Sequence, residues 1–385
     1  MRIEWRFAPS RSVSISRRFL RPFSRGLATL LLASLPAAAA ELSSEPATLV
    51  GSIDGASYRI DLPSDWNHKL VVFYHGYSTS PILFGERERI SPMFAPMLKE
   101  GYAVVQSGYS ATGWAVEEAY ADTEKLRKAF IAKFGAPARS YVMGMSMGGA
   151  LTALTIERRP GVYNGALSLC GALEPSDRLV ARDLALRAAF DYYFPNLLGP
   201  LETASAEPDE AAETRIEGAL RSKPAAAQAL LRWYGAAEER NLAPVIAFVA
   251  FEIGELERRA HGLPVGNADL LYVGSGDDAA LNDGVRRYRA DPKAAQYLAR
   301  WYTPTGKLTR PFLALHDTGD PLVPANSAYE YALAAARNGH GDDFVQQYVN
   351  REGHCVFTAG EIGHAFDELV DWSENGKRPG SGKLK

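Results

Sequence analysis

The chain has 385 residues, of which 46% are apolar and 23% charged, with a formal net charge of −3. That composition excludes a disordered chain and supports a substantial core, as one large domain or two smaller ones. The near-neutral balance provides no basic field, so nucleic acid is not an expected partner.

The first segment is basic and then apolar. Arg2, Arg6, Arg11, Arg17, Arg18, Arg21 and Arg25 lead into an apolar run over 27–35, and Ala38-Ala39-Ala40 precedes Glu41. This is the pattern of an export signal over 1–40 with an Ala-x-Ala cleavage site. The run is too short to span a membrane comfortably. The mature chain is therefore expected in the periplasm or outside the cell, with no stable membrane anchor. Ser16-Arg17-Arg18-Phe19-Leu20 matches a twin-arginine signal only in part, which leaves the export route open.

Two β-like runs follow, at 48–53 and 57–62, around the hairpin turn Asp54-Gly55. A buried-strand run at 70–74 ends in His75-Gly76, and another at 102–106 ends in Ser107-Gly108. A helical pattern covers 114–134. Next, the apolar run Tyr141-Val142-Met143 leads into Gly144-Met145-Ser146-Met147-Gly148 and a helix-like run over 149–157. A strand at 165–169 closes this half. Residues 174–302 are rich in Ala, Arg, Glu and Leu, with helical patterns at 183–190, 225–234 and 245–259, and read as a helical insertion. Alternation then resumes with strand 312–315, helix 325–337, strand 344–349 and helix 359–372; residues 377–385 read as a flexible tail. Strand–helix alternation with apolar strands predicts an α/β protein, its mostly parallel sheet covered on both faces. The core is expected over 41–173 and 303–376, with a helical lid at 174–302.

The serine at a sharp strand-to-helix turn points to nucleophilic attack on an acyl carbonyl. Its hydroxyl needs a base, and the base needs a carboxylate to orient it. The base candidate is His354, in the loop Arg351-Glu352-Gly353-His354-Cys355 after the strand near 349. The acid candidate is Asp320, in Asp317-Thr318-Gly319-Asp320-Pro321. Asp317 competes with it and could instead cap the loop through backbone N–H groups, and Glu174 is a distant third. The developing oxyanion needs two backbone donors. The N–H groups of Met147, at a helix N-terminus, and of Tyr77, after His75-Gly76, are the candidates. His75 is expected to support its loop by hydrogen bonding.

These motifs, in this order, resemble the α/β-hydrolase family of serine hydrolases. His75-Gly76 is similar to that family's oxyanion motif and Gly144 to Gly149 to its nucleophile elbow. Asp320-Pro321-Leu322-Val323-Pro324 is similar to its acid loop and Gly353-His354 to its histidine loop. The resemblance implies the α/β-hydrolase fold, with the insertion lying between the sixth and seventh strands as a lid. Cys355 after the histidine is also reminiscent of tannase and feruloyl-esterase relatives. Those carry a cysteine beside the serine, where this chain has Met145, so their substrate does not carry over.

Only two cysteines occur, Cys170 and Cys355. An exported chain meets an oxidising compartment, where the pair could form a disulfide pinning the histidine loop. Trp114 and the aromatic cluster Phe190, Tyr192, Tyr193 and Phe194 are candidates for a pocket wall, with Tyr192 and Tyr193 as its lid contribution. No metal-type Cys/His spacing occurs, and no metal or cofactor is expected. The expected activity is hydrolysis of a small carboxylic ester through an acyl-enzyme. A peptidase gripping an amino terminus with lid carboxylates (Glu207, Asp209, Glu210, Glu213) and a catalytically silent binding protein are the alternatives.

Overall fold

The computed structural model describes residues 47–85, 88–201, 209, 211–235 and 238–385. The expected export signal over 1–40 lies outside the described residues. The described residues form one compact unit.

The chain opens with an antiparallel hairpin, β1 (Ala47–Ile53) and β2 (Ala56–Leu62). Asp54 and Gly55 close it with positive φ at both positions, as a two-residue turn matched to strand twist requires. The chain continues through β3 (Lys69–Tyr74), α1 (Ala95–Lys99), β4 (Ala103–Ser107), α2 (Val116–Phe134), β5 (Arg139–Met145), α3 (Met147–Arg158) and β6 (Gly165–Leu169). Six described helices come next: α4 (Ser176–Tyr193), α5 (Ala212–Ser222), α6 (Pro224–Tyr234), α7 (Leu242–Ala260), α8 (Asp278–Gly284) and α9 (Pro292–Tyr302). The last portion is β7 (Phe312–Gly319), α10 (Asn326–Arg337), β8 (Phe344–Glu352), α11 (Ala359–Asn375) and β9 (Gly382–Lys383).

All nine described strands form one sheet in the order β1-β2-β4-β3-β5-β6-β7-β8-β9. β2 pairs antiparallel with β1 and β4, and every pairing from β4 onward is parallel. The central strands are buried on both faces, which explains their unbroken apolar runs. Leu70, Val72 and Tyr74 of β3 pack with Ala119, Leu126 and Phe130 of α2, Leu151 of α3 and Tyr331 of α10. Val71 and Phe73 point the other way, toward Met97 of α1 and Phe366 and Leu369 of α11. This is the doubly covered α/β-hydrolase fold expected from the sequence.

Helices α4 to α9 all fall between β6 and β7, and no strand occurs among the described residues of that stretch. α4 and α7 pack against each other, and their buried residues Leu184, Phe190, Ile246 and Val249 belong to the same apolar cluster as α2 and α3. The tail differs from its expectation. Gly382 and Lys383 pair with β8, Leu384 N–H donates to Tyr348 O at 2.9 Å, and the Leu384 side chain is buried. The outer edge of β8 offers unpaired backbone groups, and covering them outweighs the tail's polar composition. Among the described residues no helix is long and apolar enough to cross a membrane.

Candidate active site

β5 ends at Met145 and α3 begins at Met147, so the chain reverses at Ser146 alone. Ser146 has φ 57° and ψ −124°. That conformation lifts its side chain out of the carboxyl edge of the sheet. The reversal is possible because its flanks are bare. A Cβ on Gly144 would lie 2.1 Å from Gly148 O, and one on Gly148 would lie 2.1 Å from Tyr74 O. Ser146 N–H donates to Leu169 O at 3.0 Å, tying the turn to β6.

The three residues singled out from the sequence meet at this edge. Ser146 Oγ is 2.8 Å from His354 Nε2, and His354 Nδ1 is 2.6 Å from Asp320 Oδ2. With Nδ1 protonated, His354 donates to Asp320 and accepts from the serine hydroxyl. Asp320 Oδ1 accepts from the N–H groups of Leu322 at 2.9 Å and Val323 at 3.0 Å. Behind it stands buried His316, whose Nε2 is 2.9 Å from Val323 O and 3.6 Å from Asp320 Oδ2. Burial alone would push the Asp320 carboxyl up. The hydrogen bonds and charges of His316 and His354 outweigh it, lowering the pKa to about 2.

The rival Asp317 has a different place. It does not cap the loop: it is fully buried, and neither carboxylate oxygen has a hydrogen-bond partner among the described residues. It belongs to β7, where its backbone pairs with Val349, so its side chain leaves the loop's N–H groups to Asp320. Burial, followed by the charge of Asp320, raises its pKa to about 6. Glu174 takes no part in the hydrogen-bond chain; its N–H donates to Ser327 Oγ.

Cys170, just past β6, and Cys355, just past His354, are joined in a disulfide with a Cα–Cα distance of 5.3 Å. Cys355 Sγ is 3.5 Å from His354 Nε2. The opposite wall is the loop after β3. His75 Nδ1 lies 2.6 Å from Gly76 O, its ring stacks on Tyr109 at 3.7 Å, and burial lowers its pKa to about 4. His75 is thus a neutral support for the loop. A Cβ on Gly76 would sit 3.1 Å from Ser146 Cβ, which shows how close this loop comes to the serine.

Ser146, Met147, Tyr77 and Trp114 line one pocket. Tyr192 and Tyr193 do not. Tyr192 packs on Gly284 of α8 and on Tyr193, and the Tyr193 carbonyl accepts from Lys223 Nζ at 3.0 Å. Both stand at the far end of α4, where the helix has left the serine behind, while Phe190 and Phe194 stack in the helical core. Of the proposed lid acids, Asp209 pairs with Arg215, and Glu207 and Glu210 lie outside the described residues.

The sequence reading missed the rest of the pocket: Ala172 after β6, Leu179 and Asp183 of α4, Phe248 and Glu252 of α7, and Leu322 and Val323 of the acid loop. The two acids carried a signal. Each interrupts an apolar stripe at helical spacing, Asp183 between Leu179 and Leu186, and Glu252 between Val249 and Leu256. Burial raises the Asp183 carboxyl to a pKa of about 6 against the pull of Arg182. Burial, with the charge of Asp183 next, also raises Glu252.

Potential metal-ligand atoms gather in two places among the described residues: His316 with Asp317 and Asp320, and Cys170 with His354 and Cys355. In the first, Asp320 is committed to His354 and the loop N–H groups. In the second, the sulfurs are bonded to each other.

The chain is 22% identical over 402 aligned positions to an o-phthalyl amidase of Xanthobacter agilis, covering 85% of this chain and 87% of that protein. Among solved structures, the acylaminoacyl peptidase of Pyrococcus horikoshii matches with a TM-score of 0.43 at 11% identity. The match covers 84% of this chain but only 39% of the peptidase, so this chain spans well under half of that relative's length. A serine hydrolase of Cycloclasticus zankles matches with a TM-score of 0.42 at 12% identity, covering 86% and 98% of the two chains. Residues 48–244, slightly more than half of the chain, match the tannase-like family of unknown function (DUF6351), and the chain belongs to that family.

Proposed function

We propose that this chain is an exported serine hydrolase that cleaves small carboxylic esters through an acyl-enzyme. The observation that carries the reading is the continuous hydrogen-bond chain from Ser146 through His354 to Asp320. Ser146 Oγ attacks the acyl carbon while His354 Nε2 takes its proton. Asp320 keeps the imidazole in the tautomer that can accept it and stabilises the imidazolium that results. The N–H groups of Met147 and Tyr77 receive the negative charge on the carbonyl oxygen. The tetrahedral intermediate collapses as His354 returns the proton to the leaving group. Water then repeats the sequence on the acyl-enzyme, releasing the acid and restoring the serine.

A second reading has its own support: the Xanthobacter relative is an amidase. An amide leaving group needs the same proton from His354, so the same residues serve either bond. The disulfide and the basic-then-apolar leader support export.

A fluorophosphonate probe tests the reading. The wild type should be labelled once, at Ser146, and Ser146→Ala should take up none while unfolding at a similar temperature. Labelling that persists in the variant overturns the assignment. Turnover of matched aryl esters and arylamides then decides which bond is preferred.

A further inference from the structure

We infer that the pocket selects substrates carrying a positively charged nitrogen a few bonds from the scissile carbonyl, held against Glu252 with Asp183 beside it. The inference rests on the acyl-transfer reading above and adds to it the substrate class.

Glu252 and Asp183 reach the pocket from two helices, α7 and α4, that pack together. They are 1% and 2% exposed, and each occupies a position on a buried stripe where an apolar side chain would stabilise the fold better. Asp183 has a partner, since Arg182 Nη2 is 3.3 Å from its Oδ1. Arg182 itself also donates to Leu322 O, lies over the Tyr234 ring, and is not among the pocket-lining residues. Glu252 Oε2 is different: it is buried with no hydrogen-bond partner among the described residues. Both acids feel the charge of Arg182, but only Asp183 is hydrogen-bonded to it, and Glu252 Oε2 is left on the pocket wall for a ligand to engage.

The wall around it suits a cation. Tyr77 lies 5.7 Å from the Trp114 ring and 5.2 Å from Phe248, both in edge-on contact, and all three rings line the pocket. Aromatic faces stabilise a desolvated ammonium, and a carboxylate beside them fixes it. Trp114 lies beside Glu252, and Tyr77 Oη is buried without a hydrogen-bond partner among the described residues, so the pocket wall offers further polar atoms. A substrate anion would meet two acids here, and a purely apolar group would leave Glu252 Oε2 unpaired.

The test uses two isosteric pairs that differ in charge alone: glycyl against propionyl para-nitroanilide on the acyl side, and the acetate esters of choline against its neutral neohexyl isostere on the leaving-group side. In protein that takes up the fluorophosphonate, the cationic member of at least one pair should exceed its neutral partner in kcat/KM by about thirtyfold. Glu252→Gln should collapse that ratio toward one, with melting temperature as the control for folding. The wild-type comparison stands even if the variant does not fold. Ratios within about threefold of parity in both pairs, a neutral preference, or no turnover of either pair would overturn the inference while leaving the reactive serine intact. A wild type that ignores the fluorophosphonate would sink the acyl-transfer reading, and this inference with it.

Discussion

Asp317→Asn separates the two aspartates of the acid loop by their effect on stability. Asp317 is fully buried, both its oxygens lack hydrogen-bond partners among the described residues, and its pKa is raised from 3.8 to about 6. A tenfold change in proton affinity is worth about 1.4 kcal/mol, so the ionised carboxyl makes the fold less stable by about 3 kcal/mol. The sign follows from the raised value. Below pH 3.8 the folded and unfolded states both hold the proton and the group contributes nothing. From there to about 6 the folded state alone retains it, so stability falls as pH rises; above about 6 the full loss persists. Asparagine cannot ionise, and its buried amide costs a fixed amount at every pH. Urea unfolding of wild type and variant, at about pH 4 and about pH 8, should therefore show the variant gaining roughly 2 to 3 kcal/mol relative to wild type between the two conditions. A difference constant to within about 0.5 kcal/mol would refute the account of Asp317 as a carboxyl whose burial outweighs the nearby histidines.

Asp320→Asn presents an amide N–H₂ where His354 needs an acceptor. It should lower kcat roughly ten-thousandfold with KM little changed, and a loss under about tenfold would move the acid role elsewhere. Removing both cysteines, as Cys170→Ala with Cys355→Ala, opens a loop closed across 185 residues, for which chain entropy alone gives a ceiling of about 5 kcal/mol. Chemical denaturation should show a loss of about 2 to 5 kcal/mol and ester turnover should fall, because the bridge adjoins His354; equal stability and turnover would contradict it. Gly148→Ala drives a Cβ to 2.1 Å from the Tyr74 carbonyl, so the elbow or the strand must shift. A drop of at least about 2 kcal/mol in unfolding free energy, together with lower kcat, is expected, and an unaltered variant would show that the elbow has slack.

The frame of this molecule was readable because its signals are local. Apolar runs gave the central strands, Asp54-Gly55 gave the hairpin, and the glycines around Ser146 gave the turn. Boundaries moved, in one case by two helical turns: the helix read at 183–190 extends from Ser176 to Tyr193. α9 was missed although Asp291 caps it and Pro292 opens it, a start signal overlooked in an insertion that lacks flanking strands to frame it. The meeting of Ser146, Asp320 and His354 was legible because strand ends on one edge of a parallel sheet are neighbours by construction. The pocket was not, because its wall depends on how α4 and α7 pack, and that is a property of two distant segments. Tyr192 and Tyr193 drew attention as a dense aromatic cluster. Asp183 and Glu252, isolated acids on apolar stripes, were the better clue. The tail's pairing with β8 was hidden by its polar, glycine-rich composition.

Ser146 sits with φ at 57°, a region that glycine tolerates far better than serine. A library screened only for resistance to heat would therefore favour glycine at 146 and discard the hydroxyl along with the awkward backbone. Selection for durability and selection for turnover pull in opposite directions at this one residue, so any evolution of a hardier variant must keep an activity gate in every round.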